Sequence, residues 1–270
     1  MLERIDSELF NDIALVYKGL GISRAHISAD METTPDMLCE LLDEARPQIP
    51  KTDVRLFPTS FNAGPSLRGF PLPLTHRWLS CERSFSEMRP TAVMAHLPHF
   101  WQLEIPLHAA CRRESAPIFF GEPENIPVAA AAIASASIDT VIAGAPASFA
   151  LSSYVLQKRL PLPPHWILIH DAFAASWEIP APLRTADGMV FQEVHAFPGL
   201  PILEQCATLT QARSAHFHRS NSFVWDATEK TAYITSTGDD PFPLYRYVVP
   251  FTIEPLHTCD CGQEVVTRKL

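Results

Sequence analysis

Between Thr91 and Val194 short apolar runs alternate with segments of helical length, and this rhythm restricts the chain more than any other feature. Thr91–Ala95, Pro117–Phe120, Thr140–Ala143, Trp166–Ile169 and Met189–Val194 read as buried strands. Glu104–Arg113, Ile126–Ser137 and Phe149–Lys158 read as the helices between them. Strands separated by helices of this length must be joined by crossovers, which predicts an α/β fold with a mostly parallel sheet layered with helices. In such sheets the ligand lies beyond the carboxyl ends of the strands.

The flanks differ from this middle. Phe10, Ile13, Ala14, Val16, Tyr17 and Leu20 recur with helical period over Leu9–Leu20 and stop at Gly21. A second helix is expected over Asp36–Ala45, behind Thr34-Pro35, and a third over Thr75–Glu87. From Ser222 the texture becomes hairpin-like: Phe223-Val224-Trp225 and Thr231–Thr235 flank turn residues, and another β segment spans Tyr245–Ile253. A smaller antiparallel β subdomain near the C-terminus is therefore expected. The 25 prolines fall mostly between apolar runs and punctuate short elements. The expected organisation is a helical lead-in over residues 1–58, an α/β core over 59–215 and a β-rich subdomain over 216–270.

A net charge of −9 over 270 residues, with no long basic run, gives no electrostatic attraction to nucleic acid or to an anionic membrane. The start is charged, and the longest apolar stretch, residues 128–136, is too short to span a bilayer. A cytoplasmic protein is the expectation. Four of the six cysteines are scattered, as reduced and buried thiols would be. Only Cys259 and Cys261 lie close, in His257-Thr258-Cys259-Asp260-Cys261-Gly262. A closed zinc site needs four ligands and the familiar pairing leaves two residues between cysteines, so no metal is assigned. Among the eleven histidines, His96, His99, His108, His216 and His218 raise a metal-dependent hydrolase as a further hypothesis. His216 and His218 are the tightest pair, yet alternate residues on a strand share a face for structural reasons alone.

The stretch from Thr59 to Gly69 has the composition of a phosphate-binding loop. Thr59, Ser60, Asn62, Gly64, Ser66 and Arg68 supply small residues, hydroxyls and a cation, the types needed to cradle an anion. The same composition also marks an ordinary turn between two ordered elements.

Set in order along the chain, these pieces resemble the adenylate-forming superfamily, within it the phenylacetate-CoA ligase and acyl-protein synthetase branch. Ile49–Pro58 is similar to the lead-in to that family's phosphate loop, and Thr59–Gly69 with Leu74-Thr75-His76 to the loop and the sequence after it. Leu97-Pro98-His99-Phe100-Trp101 resembles the segment near the acyl pocket, and Ile167-Leu168-Ile169-His170-Asp171 the strand and turn bordering adenine. Val194–Gly199 occupies the place of the motif whose aromatic stacks on adenine. Pro243-Leu244-Tyr245-Arg246-Tyr247 and Cys259-Asp260-Cys261-Gly262 resemble elements near the end of the large domain.

The resemblance implies a compact protein that activates a small aryl or acyl carboxylic acid with ATP, through an AMP intermediate, for transfer to CoA or a carrier protein. Arg68 and His195 would be catalytic. Thr59, Ser60, Asn62, Gly64, Ser66, His170, Asp171 and Arg246 would contact nucleotide. His99, Phe100, Trp101 and Phe197 would line the acid pocket. Magnesium would accompany the ATP. The alternative is a non-catalytic relative, a binding or scaffolding subunit that has lost nucleotide chemistry. The departures bear on that choice: Phe61 stands where the loop usually has glycine, the acid expected near Gly199 is absent, and Val248-Val249-Pro250-Phe251 replaces the segment whose carboxylate holds the ribose. The family's small domain with its lysine is expected to be missing after Leu270. A partner supplying that domain, and a homodimer, are the expected associations.

Overall fold

The computed structural model describes residues 7–23, 27–49, 54–59, 68–73, 88–97, 104–171, 183, 188–197, 200–206, 216–220, 223–227, 231–237, 240–249 and 251–269. The chain falls into two compact units, one of Met1–His76, Ser220–Leu256 and Val266–Leu270, the other of Arg77–Arg219 and His257–Val265.

The second unit carries the alternating pattern. Its elements are β3 (Val93–His96), α3 (Glu104–Arg113), β4 (Ile118–Gly121), α4 (Ile126–Ser135), β5 (Thr140–Gly144), α5 (Ala145–Gln157), β6 (His165–Asp171), β7 (Val190–Phe197), β8 (Leu200–Glu204) and β9 (His216–Arg219). Strands β4-β3-β5-β6-β7 pair in parallel in that order. Strands β8 and β9 then add in antiparallel sense, and β14 (Glu264–Lys269) and β13 (Thr252–Thr258) complete a nine-stranded sheet.

The central strands of the parallel part bury apolar side chains on both faces, under helices. On one face Val93, Ala95, Ile142, Ile167, Ile169 and Val194 pack with Leu107, Ala110 and Cys111 of α3. On the other Met94, Val141, Ala143, Trp166, Leu168 and Phe191 pack with Ala129, Ala130 and Ile133 of α4 and Leu151 and Val155 of α5. The alternation is the two-residue period of the strand carried into three layers. Trp166 is fully buried and donates its indole N–H to the Pro163 carbonyl at 2.9 Å.

The first unit holds α1 (Ser7–Gly19), α2 (Pro35–Ala45), the hairpin β1 (Val54–Thr59) with β2 (Arg68–Pro73), and a three-stranded antiparallel sheet of β10 (Phe223–Ala227), β11 (Ala232–Ser236) and β12 (Tyr247–Val249). Helix α1 buries Ile13 and Tyr17, and the Tyr17 hydroxyl donates to the Pro243 carbonyl at 2.7 Å. Helix α2 buries Leu38, Cys39, Leu41, Leu42 and Ala45, and the Thr34 side chain caps it by accepting from the Met37 amide.

The α/β fold with a mostly parallel core sheet and a small antiparallel sheet is the one expected. Several boundaries differ. Helix α5 begins at Ala145, four residues before the expected start, because a proline suits the first helical turn. The expected segment Tyr245–Ile253 divides into β12 and β13 around Pro250, which has no N–H for a ladder. Strands β1, β2 and β8 form where prolines hid them. The expected helix over Thr75–Glu87 lies outside the described residues.

Candidate functional site

Strand order reverses direction at β3: the chain passes from it to β4 on one side, then back across it to β5 on the other. The carboxyl ends of β3 and β5 therefore border a topological switch point, where open α/β sheets bind ligands. His96 closes β3 there, in register with Gly121 of β4 and Ala143 of β5. Its side chain is fully buried, and neither ring nitrogen has a hydrogen-bond partner among the described residues. Burial holds its pKa below the ordinary histidine value, against smaller opposing pulls from the Glu124 carboxylate and the Gly121 backbone. The imidazole is therefore neutral near pH 7. A Cβ on Gly121 would lie 3.1 Å from His96 Nδ1, so the glycine gives the ring its room.

Strand β5 turns directly into α5, with Gly144 as the N-cap and no side chain capping the first turn. The positive end of that helix thus sits at the same edge as His96. In the sequence His96 stands out only as one of the five histidines of the hydrolase hypothesis. The signal that singles it out is its position as the last residue of the switch-point strand.

One strand further, His170 of β6 and His195 of β7 are register partners, and their rings stack at 4.8 Å. His195 also meets the edge of Phe217 at 4.8 Å, and His170 Nε2 lies 3.0 Å from Glu193 Oε2. All four residues are buried. His170 and His195 are therefore together, with their rings against each other, Phe217 and Glu193.

Arg246 belongs to the other unit. Its guanidinium lies 3.6 Å from Glu32 and over the Tyr233 ring at 4.8 Å, and the Tyr233 hydroxyl donates to Glu32 at 2.7 Å. Its backbone takes φ +42° and its amide donates to Thr235 Oγ1. Thr59 and Arg68 are register partners, the last pair of the β1–β2 ladder. Ser60, Asn62, Gly64 and Ser66, and likewise His99, Phe100 and Trp101, lie outside the described residues, as does the side-chain placement of Asp171 and Phe197. At the position where a ribose-binding carboxylate was sought, Val249 and Phe251 are buried, and Phe251 packs near Trp225 at 6.4 Å.

The histidines of the hydrolase hypothesis do not converge among the described residues. His108 meets Phe120 at 5.1 Å and His216 meets His257 at 6.2 Å. His218 instead joins Cys206, Cys259 and Cys261, the one grouping of this kind among the described residues. Cys111 is no candidate nucleophile, because burial pushes its thiol up to about 11.

The fold is a doubly wound α/β sheet with a buried histidine and an uncapped helix N-terminus at its switch point, the edge where sheets of this class take ligands. No protein-family model matches the chain, and no curated protein does. Among solved structures it is similar to an open conformation of 2-hydroxyisobutyryl-CoA ligase in complex with 2-HIB-AMP and CoA. The TM-score is 0.62 at 10% identity, over 96% of this chain and 68% of that one. It is also similar to o-succinylbenzoate CoA synthetase from Bacillus subtilis bound with the product analogue OSB-NCoA, with a TM-score of 0.52 at 11% identity. That match covers 80% of this chain and 49% of the other. The chain has the adenylate-forming acyl-CoA ligase fold over the part it spans. No helix among the described residues is long and apolar enough to cross a membrane.

Proposed function

We propose that the protein binds a small carboxylic acid at the carboxyl end of β3 and β5 and activates it with ATP, for transfer to CoA or a carrier protein. The observation that carries this reading is His96, buried, neutral and without a hydrogen-bond partner among the described residues, beside the uncapped N-terminus of α5. A neutral imidazole can donate one hydrogen bond to a carboxylate without neutralising it, and a helix N-terminus favours the anion. His99, Phe100 and Trp101 follow His96 by three to five residues in the sequence and are the residues that the resemblance gives to the acid pocket. The order of the sequence motifs supports assigning the chain to the phenylacetate-CoA ligase and acyl-protein synthetase branch.

In the activation step a carboxylate oxygen attacks the α-phosphorus of ATP, an acyl-adenylate forms, and the bond to pyrophosphate breaks. The resemblance, by sequence alone, gives phosphate binding to the hydroxyls of Thr59, Ser60 and Ser66 and the Arg68 cation. No residue is assigned to magnesium, because the acid expected beside Gly199 is absent from the sequence.

The test is pyrophosphate release from ATP and magnesium across a panel of aryl and short acyl acids, with calorimetry for nucleotide binding. Release with one or more acids is expected, and Arg68→Ala should slow it by about 10²–10³, the usual cost of one donor to developing charge. The absence of both pyrophosphate and a nucleotide heat would overturn the enzymatic reading. Acid binding without either would favour a binding subunit.

A further inference from the structure

Cys206 follows β8, His218 lies in β9, and Cys259 and Cys261 sit in the turn joining β13 to β14. Their Sγ and ring-nitrogen atoms all come within 4.8 Å of one another. We propose that these four side chains form a closed Cys3His zinc site that is structural and lies apart from the ligand end at His96.

Three observations converge on this assignment. The first is distance. Tetrahedral zinc with ordinary bonds to sulfur and nitrogen sets sulfur–sulfur edges of about 3.8 Å and sulfur–nitrogen edges of about 3.5 Å. Cys206 Sγ and Cys259 Sγ are 3.7 Å apart, and Cys261 Sγ lies 3.3 Å from His218 Nε2. No disulfide joins these cysteines, so the sulfurs are close without being bonded to each other.

The second observation is the imidazole's orientation. His218 Nδ1 lies 2.9 Å from the Glu264 carbonyl, which can only accept. Nδ1 therefore carries the proton, and in the neutral ring the Nε2 lone pair points at the cluster. Metal-binding histidines are commonly oriented by such a bond from the other ring nitrogen. The Glu264 carboxylate is meanwhile paired with Arg219, beside the same strand.

The third is how the backbone presents the thiols. The Gly262 amide donates to the Cys259 carbonyl at 2.8 Å, and the Cys259 amide to the Gln263 carbonyl at 2.8 Å, closing a tight turn. Gly262 takes φ +84°, which a side chain would disfavour. On the other side, Gln205 fixes the residue before Cys206: its Oε1 accepts from the Glu193 amide, and its Nε2 donates to the His216 carbonyl.

Four protein ligands leave no open position, which is the mark of a structural site, and three thiols with one imidazole select zinc over hard cations. Loading is balanced by proton loss: Zn²⁺ binds three thiolates and one neutral imidazole, three protons leave, and the centre carries one negative charge. The metal would tie the end of β8 and β9 to a turn about forty residues further along the chain.

The test uses the purified full chain. Elemental analysis should find about one zinc per chain, and cobalt exchanged into the site should show thiolate-to-cobalt charge transfer with the strong visible bands of a tetrahedral centre. Cys261→Ser removes the least buried ligand and should weaken zinc retention against a competing chelator more than about tenfold, since even outer-shell changes at such sites cost 10–100-fold. Cys39→Ser, outside the cluster, should leave retention unchanged. Folded wild-type protein free of zinc that takes up no cobalt would overturn the assignment, as would stoichiometric iron or a Cys206–Cys259 disulfide by mass spectrometry. Because the measured quantity is metal, failure here leaves the carboxylic-acid reading intact, and the reverse holds.

Discussion

His96 keeps its imidazole neutral inside the sheet edge, and this has a measurable cost on acidification. Its pKa is lowered in the folded state by burial, while the unfolded chain takes up the proton near 6.5. Above that pH neither state is protonated and the residue is silent. As pH falls below it, the unfolded state binds a proton the native state resists, so stability falls until the folded pKa is reached. The slope for one such group approaches about 1.4 kcal/mol per pH unit. His96→Gln should therefore flatten the stability profile below pH 6.5 relative to wild type, read from urea midpoints across pH. Equal slopes in the two proteins would show that the ring is not held neutral. The role of His96 was legible only in part: its residue type and strand were visible, but its fully buried state at a switch point depends on β4 and β5 packing on either side.

Among the elements, a helix boundary was legible where a local residue type marks it. Thr34-Pro35 is a cap followed by a first-turn proline, and α2 begins there. Thr34→Ala removes the hydroxyl that accepts from Met37 and should cost about 1 kcal/mol, measured by chemical denaturation. The ends of α3, α4 and α5 carry Ser115, Ser137 and Arg159 at positive φ, without the glycine that usually marks such a stop. Each is followed by an apolar residue whose amide reaches back five positions, Ala116 to Cys111, Ile138 to Ile133 and Leu160 to Val155. Those apolar residues secure the turn by packing, which a local reading does not see, and so the expected helix over Ile126–Ser137 ran two residues too long. Prolines hid strands for a related reason. Pro58 in β1, Pro71 and Pro73 in β2, and Pro201 in β8 argue locally against a strand. They are tolerated where an N–H has no partner to meet, and only the sheet neighbours decide where that is.

At the scale of the molecule, the parallel sheet stands on side chains buried on both faces, and Trp166 is the largest of them. Trp166→Ala removes the ring and its bond to Pro163, and should cost about 3–5 kcal/mol, seen as a lower denaturation midpoint. The alternation of apolar runs with helical segments determined this architecture from the sequence alone, because a two-residue period buried on both faces and joined by crossovers has few other solutions. Tertiary structure decided which polar residues meet. Arg246, read as a nucleotide contact, stands with Glu32, more than two hundred positions away in the chain. Cys259 and Cys261 lacked two ligands when read by spacing. Cys206 and His218 provide them because β9 enters the sheet beside β8 while the turn before β14 folds back to meet it. Periodicity is a property of neighbours along the chain and survives in one dimension; a ligand set drawn from three segments exists only once the strands between them have paired.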